Sequence, residues 1–259
     1  MTVWRAAVYA APGFGPASSP TGGHASRLRG HAEEWLGRAV DGRAVPRRTP
    51  AGWTRDEVDA ITVAARSYGF HGTLKPPFHL TPGRSLDELV RAVDHLAART
   101  PAASVPRLRL GRLGSFFALV PGADDAPLRS VADAVVTELD AFRAPLTDHD
   151  RARRNPDALT ERQRDLLDYW GYPYVLDEFR FHLTLTDRIP DARQSVVSDV
   201  LESWFGDVLG QDIPLDALTV FTQATPDAPF LLHSVHPMEV CALLPPRAPG
   251  TSTMEGITR

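Results

Sequence analysis

Tyr68-Gly69-Phe70-His71-Gly72-Thr73-Leu74-Lys75-Pro76-Pro77-Phe78 and Phe179-Arg180-Phe181-His182-Leu183-Thr184-Leu185-Thr186 decide how this chain reads, because each carries His-x-Thr-Leu in an extended setting. In a strand, residues i and i+2 share a face. His71 therefore projects with Thr73, and His182 with Thr184, while Phe70, Leu74, Phe181, Leu183 and Leu185 can turn to a core. The Pro76-Pro77 pair is expected to end the first strand, since proline has no amide hydrogen for the ladder.

Each copy leads into the same series of elements. After the first comes a helix over 85–99, capped by Ser85 and patterned by Leu86, Leu89, Val90, Val93, Leu96 and Ala97, then strands over 108–113 and 116–120 around Gly114-Ser115. After the second comes a helix over 191–209 and strands over 215–221 and 230–235. Two runs of strand, helix and hairpin, each opened by His-x-Thr-Leu, indicate a duplicated unit and a bilobal α+β fold over residues 1–244, with a flexible tail over 245–259. The remaining segments fit around this frame. Val3 to Ala10 reads as a strand, Ser26 caps a helix to about Val40, and Thr54 caps a short helix. Pro127 to Phe142 is an amphipathic helix, Arg143 to Pro156 an arginine-rich loop, and Thr160 caps a helix ending at Trp170.

Composition limits the partners. The 259 residues are 43% hydrophobic, enough for a sizeable core, and the net charge of −4 provides no basic field for a long nucleic acid and no polybasic membrane anchor. Phosphate binding would have to be local. The lone cysteine, Cys241, reads as a small apolar residue in a reducing compartment. With no apolar run of membrane-spanning length and no secretory leader, the expectation is a cytoplasmic monomer.

A phosphodiester suits the paired motifs. Hydrolysis without a metal needs a base to deprotonate water and an acid to protonate the leaving alkoxide, and two imidazoles can divide those roles near neutral pH. Two threonine hydroxyls can donate to phosphoryl oxygens without adding charge. Lys75, on the face of Thr73 if the strand stays regular, and Arg180, two residues before His182, are candidates for phosphate contact. Arg143 is a candidate clamp for a second phosphate, with Arg151, Arg153 and Arg154 crowding the same loop. Tyr172 and Tyr174 could stack on a base or sugar. His233 and His236 resemble half a metal site but lie three apart on a strand, hence on opposite faces. No HExxH, GxSxG, P-loop or GxGxxG pattern occurs.

The segments YGFHGTLKPPF and EFRFHLTLT resemble the two signature motifs of the two-histidine (2H) phosphoesterase superfamily. Phe142 to Leu146 (FRAPL), Phe116 to Pro121 (FFALVP) and Gly171 to His182 further resemble the branch encoded in bacterial phosphonate-utilisation operons. Gly72 departs from that pattern, where alanine is commoner. The resemblance implies two antiparallel sheets lining a central cleft with helices outside, no cofactor and no metal. It also implies that His71 protonates the leaving oxygen while His182 activates water, with Thr73 and Thr184 beside them. The implied substrate is a small, cyclic phosphodiester of ribose, nucleotide or phosphoribosyl type. An RNA 2′,3′-cyclic phosphodiesterase or 2′-5′ RNA ligase-like activity, or a non-catalytic module binding a phosphorylated metabolite, are the alternatives.

Overall fold

The computed structural model describes residues 3–16 and 22–239, so Cys241 and the tail from Pro245 lie outside the described residues. Nine strands and eight α-helices follow one another along them: β1 (Arg5–Ala10), α1 (Gly22–Leu36), α2 (Arg55–Ala60), α3 (Val63–Tyr68), β2 (Gly72–Phe78), α4 (Leu86–Ala97), β3 (Ala103–Val105), β4 (Arg109–Leu113), β5 (Phe116–Val120), α5 (Ala126–Glu138), α6 (Asp148–Ala152), α7 (Glu161–Trp170), β6 (Leu183–Thr184), α8 (Asp191–Phe205), β7 (Ile213–Leu215), β8 (Ala217–Gln223) and β9 (Leu231–Pro237). Capping boxes start three of the helices where the sequence places them, at Thr54 with Glu57, Ser85 with Glu88 and Thr160 with Gln163. Gly171, left-handed at φ +76°, ends α7.

The architecture is α+β. Seven strands form one antiparallel sheet in the order β4-β5-β6-β2-β1-β8-β9, and β3 pairs with β7 in a small second sheet. The two expected sheets are thus joined edge to edge where the His-x-Thr strands meet, through the single pair Gly72–Leu183. Those two residues occupy the same position in the two repeats. The pair at the middle of the small sheet, Ser104 with Pro214, is likewise matched between repeats. A pseudo-twofold axis passing between both pairs accounts for this, since only elements lying on such an axis pair antiparallel with their own counterparts.

One face of the large sheet is packed. Val8, Leu74, Phe117, Leu119, Leu183, Leu218 and Val220 meet the apolar sides of α1, α4, α5 and α8, including Trp35, Val93, Val135 and Leu201, in one continuous core. The buried Trp35 indole donates to the Leu185 carbonyl at 2.8 Å, fixing the end of β6 to α1. The other face carries a smaller cluster of Ala7, Tyr9, Phe221 and Phe230, and is open beside it. No helix among the described residues is long and apolar enough to cross a membrane.

Several expectations change with the fold. Helix α1 begins at Gly22, so Ser26 lies inside it and does not cap it; the second His-x-Thr segment is paired as a strand only at Leu183–Thr184; and the short helix α6 stands within the expected loop over 143–156. Strand β2 does not stop at the prolines but continues to Phe78, which is opposite Ala6. It can, because β6 pairs with β2 only at Gly72, so Pro76 and Pro77 have no ladder partner to deprive on that edge. The register of β1 against β2 also slips, with Tyr9 opposite Thr73 but Val8 opposite Lys75. Two residues of β2 there oppose one step of β1, a bulge that turns Leu74 and Lys75 in succession toward the packed face. Lys75 consequently leaves the face of Thr73.

Candidate functional site

On the open face, the antiparallel pairing of Gly72 with Leu183 sets His71 beside Thr184 and Thr73 beside His182. Each imidazole is flanked by its own threonine along the strand and by the other repeat's threonine across it, at the ~4.5–5.5 Å spacing of cross-strand neighbours. Gly72 makes the approach possible. A Cβ at this position would lie 2.6 Å from the Phe181 ring, so a larger residue would push the strands apart.

The two histidines are oriented by the same device. Nδ1 of His71 is 2.8 Å from the Gly69 carbonyl, and Nδ1 of His182 is 2.8 Å from the Arg180 carbonyl, each two residues upstream. A carbonyl only accepts, so both rings carry their hydrogen on Nδ1 and keep a lone pair on Nε2 when neutral. The Thr73 hydroxyl donates to His71 Nε2 at 3.1 Å. Tyr9 stacks on the His71 ring with centroids 3.7 Å apart, and Phe116 leans on His182 at 5.9 Å. Burial lowers the pKa of His71 to about 4, helped by nearby His182 and opposed by the Gly69 carbonyl. Burial likewise lowers that of His182. Both rings are neutral at rest.

His71, Thr73 and Thr184 line a cavity of about 410 Å³ together with Arg5, Tyr9, Tyr68, Phe116, Tyr172, Thr186 and Asp187, with Arg153, Arg154 and Arg188 around them. His182 flanks this cavity from the next strand without lining it. Thr186 accepts from the Phe117 amide at 3.0 Å, and the Asp187 carboxylate accepts from the amides of Ala64 and Ala65, at 3.0 and 3.2 Å, so the second His-x-Thr segment is tied to β5 and α3.

The other expected contacts are distributed differently. Lys75, 2% exposed, donates to the Val136 carbonyl at 3.1 Å and to Asp140 at 3.0 Å. Arg143 grips the same Asp140 through Nε and Nη2, at 2.8 and 3.0 Å, and reaches the Tyr169 carbonyl. Both line a smaller adjoining cavity of about 70 Å³, where their charges are already engaged by protein. Burial pulls the Lys75 ammonium down against the field of Asp140. Burial also opposes the Asp140 carboxylate, yet Arg143 and Lys75 hold it below its ordinary range. The reason for the change is the bulge for Lys75 and the proximity of Asp140, three residues upstream, for Arg143.

Arg180 serves through its carbonyl, its exposed side chain lining neither cavity. Tyr172 lines the large cavity, whereas Tyr174 is 47% exposed and packs edge-on against Tyr172 at 5.5 Å. His233 is exposed and His236 buried, as alternation requires. His236 joins Ser234 to Asp94 at 2.8 and 3.1 Å and so straps β9 to α4. Among the described residues no three His, Cys, Asp or Glu side chains gather as a metal site would need. Sequence reasoning missed Arg5 and Tyr9. Their signal was the alternation Arg5, Ala7, Tyr9 within an otherwise apolar strand, which puts a guanidinium and a phenol on one face.

The chain is 34% identical over 202 residues, 76% of its length, to a ribose 1,5-bisphosphate phosphokinase PhnN of Janthinobacterium sp. (strain Marseille). It is 32% identical over 209 residues, 80% of its length, to a protein of the same name from Laribacter hongkongensis. It spans about half of each relative, 45% and 48% respectively. Among solved structures, a phosphoesterase aligns with 92% of this chain and 99% of its own at a TM-score of 0.39 and 13% identity. Escherichia coli LigT complexed with NADP+ aligns over the same shares at 0.40 and 12%. Residues 73–231, from the first motif threonine to the start of β9, match the family described as a protein of unknown function (DUF1045), and the chain belongs to that family.

Proposed function

We propose that this protein is a phosphodiesterase of the two-histidine kind, hydrolysing a small, cyclic phosphodiester on a ribose or similar polyol. The observation that carries the reading is the cross-strand square of His71, Thr184, Thr73 and His182 on one open sheet face, with each imidazole presenting Nε2 because Nδ1 is held by its own strand. In this reaction one neutral imidazole takes a proton from water as the oxygen attacks phosphorus. The other, protonated, gives its proton to the alkoxide as the P–O bond breaks, and the threonine hydroxyls hold the non-bridging oxygens.

Both rings are neutral before substrate arrives, so the acid must be charged by the substrate. A bound phosphodiester anion favours the imidazolium and raises a pKa that burial had lowered. Placing His71 as acid and His182 as base follows the two-histidine pattern, and exchange of the two roles gives the reverse reaction.

The relatives bear on substrate class. Their name concerns a ribose bisphosphate, and the only lysine of this chain, Lys75, follows Leu74 and is not part of a P-loop. This chain spans about half of those relatives, and the substrate we assign to it is a chemically adjacent ribosyl phosphodiester. The test is a panel of cyclic and linear phosphodiesters, with and without EDTA. Turnover of a ribosyl cyclic phosphate that chelator leaves undiminished supports the assignment. Loss in chelator that added metal restores contradicts it, and tight binding without any turnover selects a sensor instead.

A further inference from the structure

The two imidazoles are alike in their own strands and unlike in what covers them. His71 lies face to face with the Tyr9 ring, centroids 3.7 Å apart and planes 21° from parallel, whereas Phe116 meets His182 at 5.9 Å and 55°. Tyr9 is itself held from behind. Its carbonyl accepts from the buried Thr219 hydroxyl at 2.7 Å, and Phe221 packs on its ring at 5.0 Å. Strand pairing puts it directly opposite Thr73, so Tyr9, Thr73 and His182 form one row across β1, β2 and the second His-x-Thr segment.

At rest the His71 ring has two hydrogen bonds, from Nδ1 to the Gly69 carbonyl and to Nε2 from the Thr73 hydroxyl. The second depends on the Nε2 lone pair. It ends when Nε2 carries a proton for delivery, because that N–H is then aimed at the leaving oxygen and Thr73 is free to donate to the phosphoryl group. The Tyr9 stack survives the change, since a π face holds a cation at least as well as a neutral ring. Gly69 is fixed too: the Arg38 guanidinium donates to the Arg66 and Ser67 carbonyls, at 2.6 and 3.0 Å, where α3 runs into it. One edge and one face of the His71 ring are therefore held in either protonation state. His182 keeps the edge bond to the Arg180 carbonyl but has no stacked partner among the described residues.

The Tyr9 hydroxyl is an independent observation. Tyr9 is fully buried and lines the cavity, and this oxygen has no hydrogen-bond partner among the described residues. An unpaired buried hydroxyl is costly and rare, and is explained when a ligand supplies the acceptor. Burial also pushes its pKa well above the ordinary phenol value, with Tyr68 acting in the same direction, so it serves as a donor and not as a base.

We propose that Tyr9 is a fifth functional residue of the site: its ring holds His71 in line to act as the acid, and its hydroxyl donates to a phosphoryl oxygen in the transition state. The inference rests on the phosphodiesterase reading and adds to it what makes two like imidazoles divide the work. As water attacks phosphorus and gives its proton to His182, the P–O bond to the leaving oxygen breaks and the His71 Nε2 proton passes to that oxygen. Tyr9 keeps its own proton throughout.

Leaving-group dependence tests the assignment. Turnover is measured with adenosine 2′,3′-cyclic phosphate, whose leaving alkoxide needs a proton, and with bis(p-nitrophenyl) phosphate, whose phenolate leaves without one, for the native protein, Tyr9→Phe and Tyr9→Leu. Tyr9→Phe, which keeps the ring, is expected to lower kcat by about 10-fold on both probes with KM nearly unchanged, the scale of a hydrogen bond to a charged group. Tyr9→Leu is expected to match Tyr9→Phe on the aryl probe and to fall a further ~10-fold or more on the cyclic one, as impairment of an acid does. Tyr9→Met replaces it if the leucine variant does not fold. Native kcat in Tyr9→Phe, an effect confined to KM, or ring-less variants equally impaired on the two probes overturns the proposal, the last by marking a packing defect. If the native protein turns over neither probe, the failure lies with the phosphodiesterase reading, and nitrogen NMR judges the hold on His71 by itself. Loss of the His71 Nδ1–H signal to solvent exchange in Tyr9→Leu, with that of His182 retained, supports the hold, and retention of both signals overturns it.

Discussion

At His71, the proposed chemistry and the stability depend on the same burial. With a pKa of about 4 in the folded protein and ~6.5 when unfolded, the ring is neutral in both states above the latter value, and its effect there is nil. As pH falls from ~6.5 toward 4 the unfolded chain takes up the proton first, so stability is lost through that window and levels off below it. A tenfold change in proton affinity is worth ~1.4 kcal/mol, which puts the loss from this residue at no more than about 3 kcal/mol, since the ring is partly open to the cleft. His182, whose pKa moves in the same direction, adds to it. Urea unfolding at pH 7 and pH 4.5 should show the decrease, and His71→Phe should shrink it. Nitrogen-detected NMR should find the hydrogen on Nδ1 of both rings, with His71 still neutral at pH 5. A His71 titrating at ~6.5, the ordinary imidazole value, would contradict this. By the same logic the kcat/KM profile is bell-shaped and displaced toward acid, and the kcat profile lies at higher pH because bound substrate favours the imidazolium.

Among the elements, the β2–β6 pair is the most sensitive, because a single residue pair joins the two halves of the sheet. Gly72→Ala places a methyl 2.6 Å from the Phe181 ring and 3.4 Å from Leu183, and overpacking of this kind costs ~1–3 kcal/mol. It should lower the unfolding free energy by that amount and reduce turnover beyond it, through separation of the two His-x-Thr strands. The Lys75–Asp140–Arg143 cluster makes a second prediction. Asp140→Ala leaves a buried ammonium without a counter-charge and should cost about 3–5 kcal/mol, whereas Lys75→Met, which removes the charge and keeps the volume, should cost clearly less. Chemical denaturation of the two variants checks the order. These elements also show how much the linear chain reveals. The His-x-Thr segments, the helices capped by Thr54, Ser85 and Thr160 and the hairpin at Gly114 are readable in it, because periodicity and caps are local; the start of α1 is not, since Ser26 lies inside that helix. The fate of Lys75 is not, because a bulge in the pairing of β1 with β2 is decided by the partner strand, and it reverses the alternation until a second slip between Val8 and Ala6. Arg143 misleads because a carboxylate three residues away, just past the end of α5, meets it only once the chain turns there. Arg5 and Tyr9 lie more than sixty residues before the first motif histidine and join the site only through the β1–β2 ladder.

For the molecule as a whole, the repeat has a consequence that neither half has alone. The pseudo-twofold axis running between Gly72 and Leu183 brings two imidazoles to one face, and packs the opposite face of the same sheet under four helices. Departure from that symmetry is confined to the surroundings: Tyr9 stacks on one imidazole and Phe116 leans on the other, and His71 lines the cavity whereas His182 flanks it. Under the proposed mechanism, a symmetric pair of imidazoles set in asymmetric surroundings is what would assign different roles to like residues. The most direct measurement is turnover of a ribosyl cyclic phosphodiester, in EDTA, by the native protein and by His71→Ala and His182→Ala. The native protein is expected to turn over, and each variant to lose about 10²–10⁴-fold in kcat with its fold intact by circular dichroism; full activity in either variant would contradict the two-histidine mechanism.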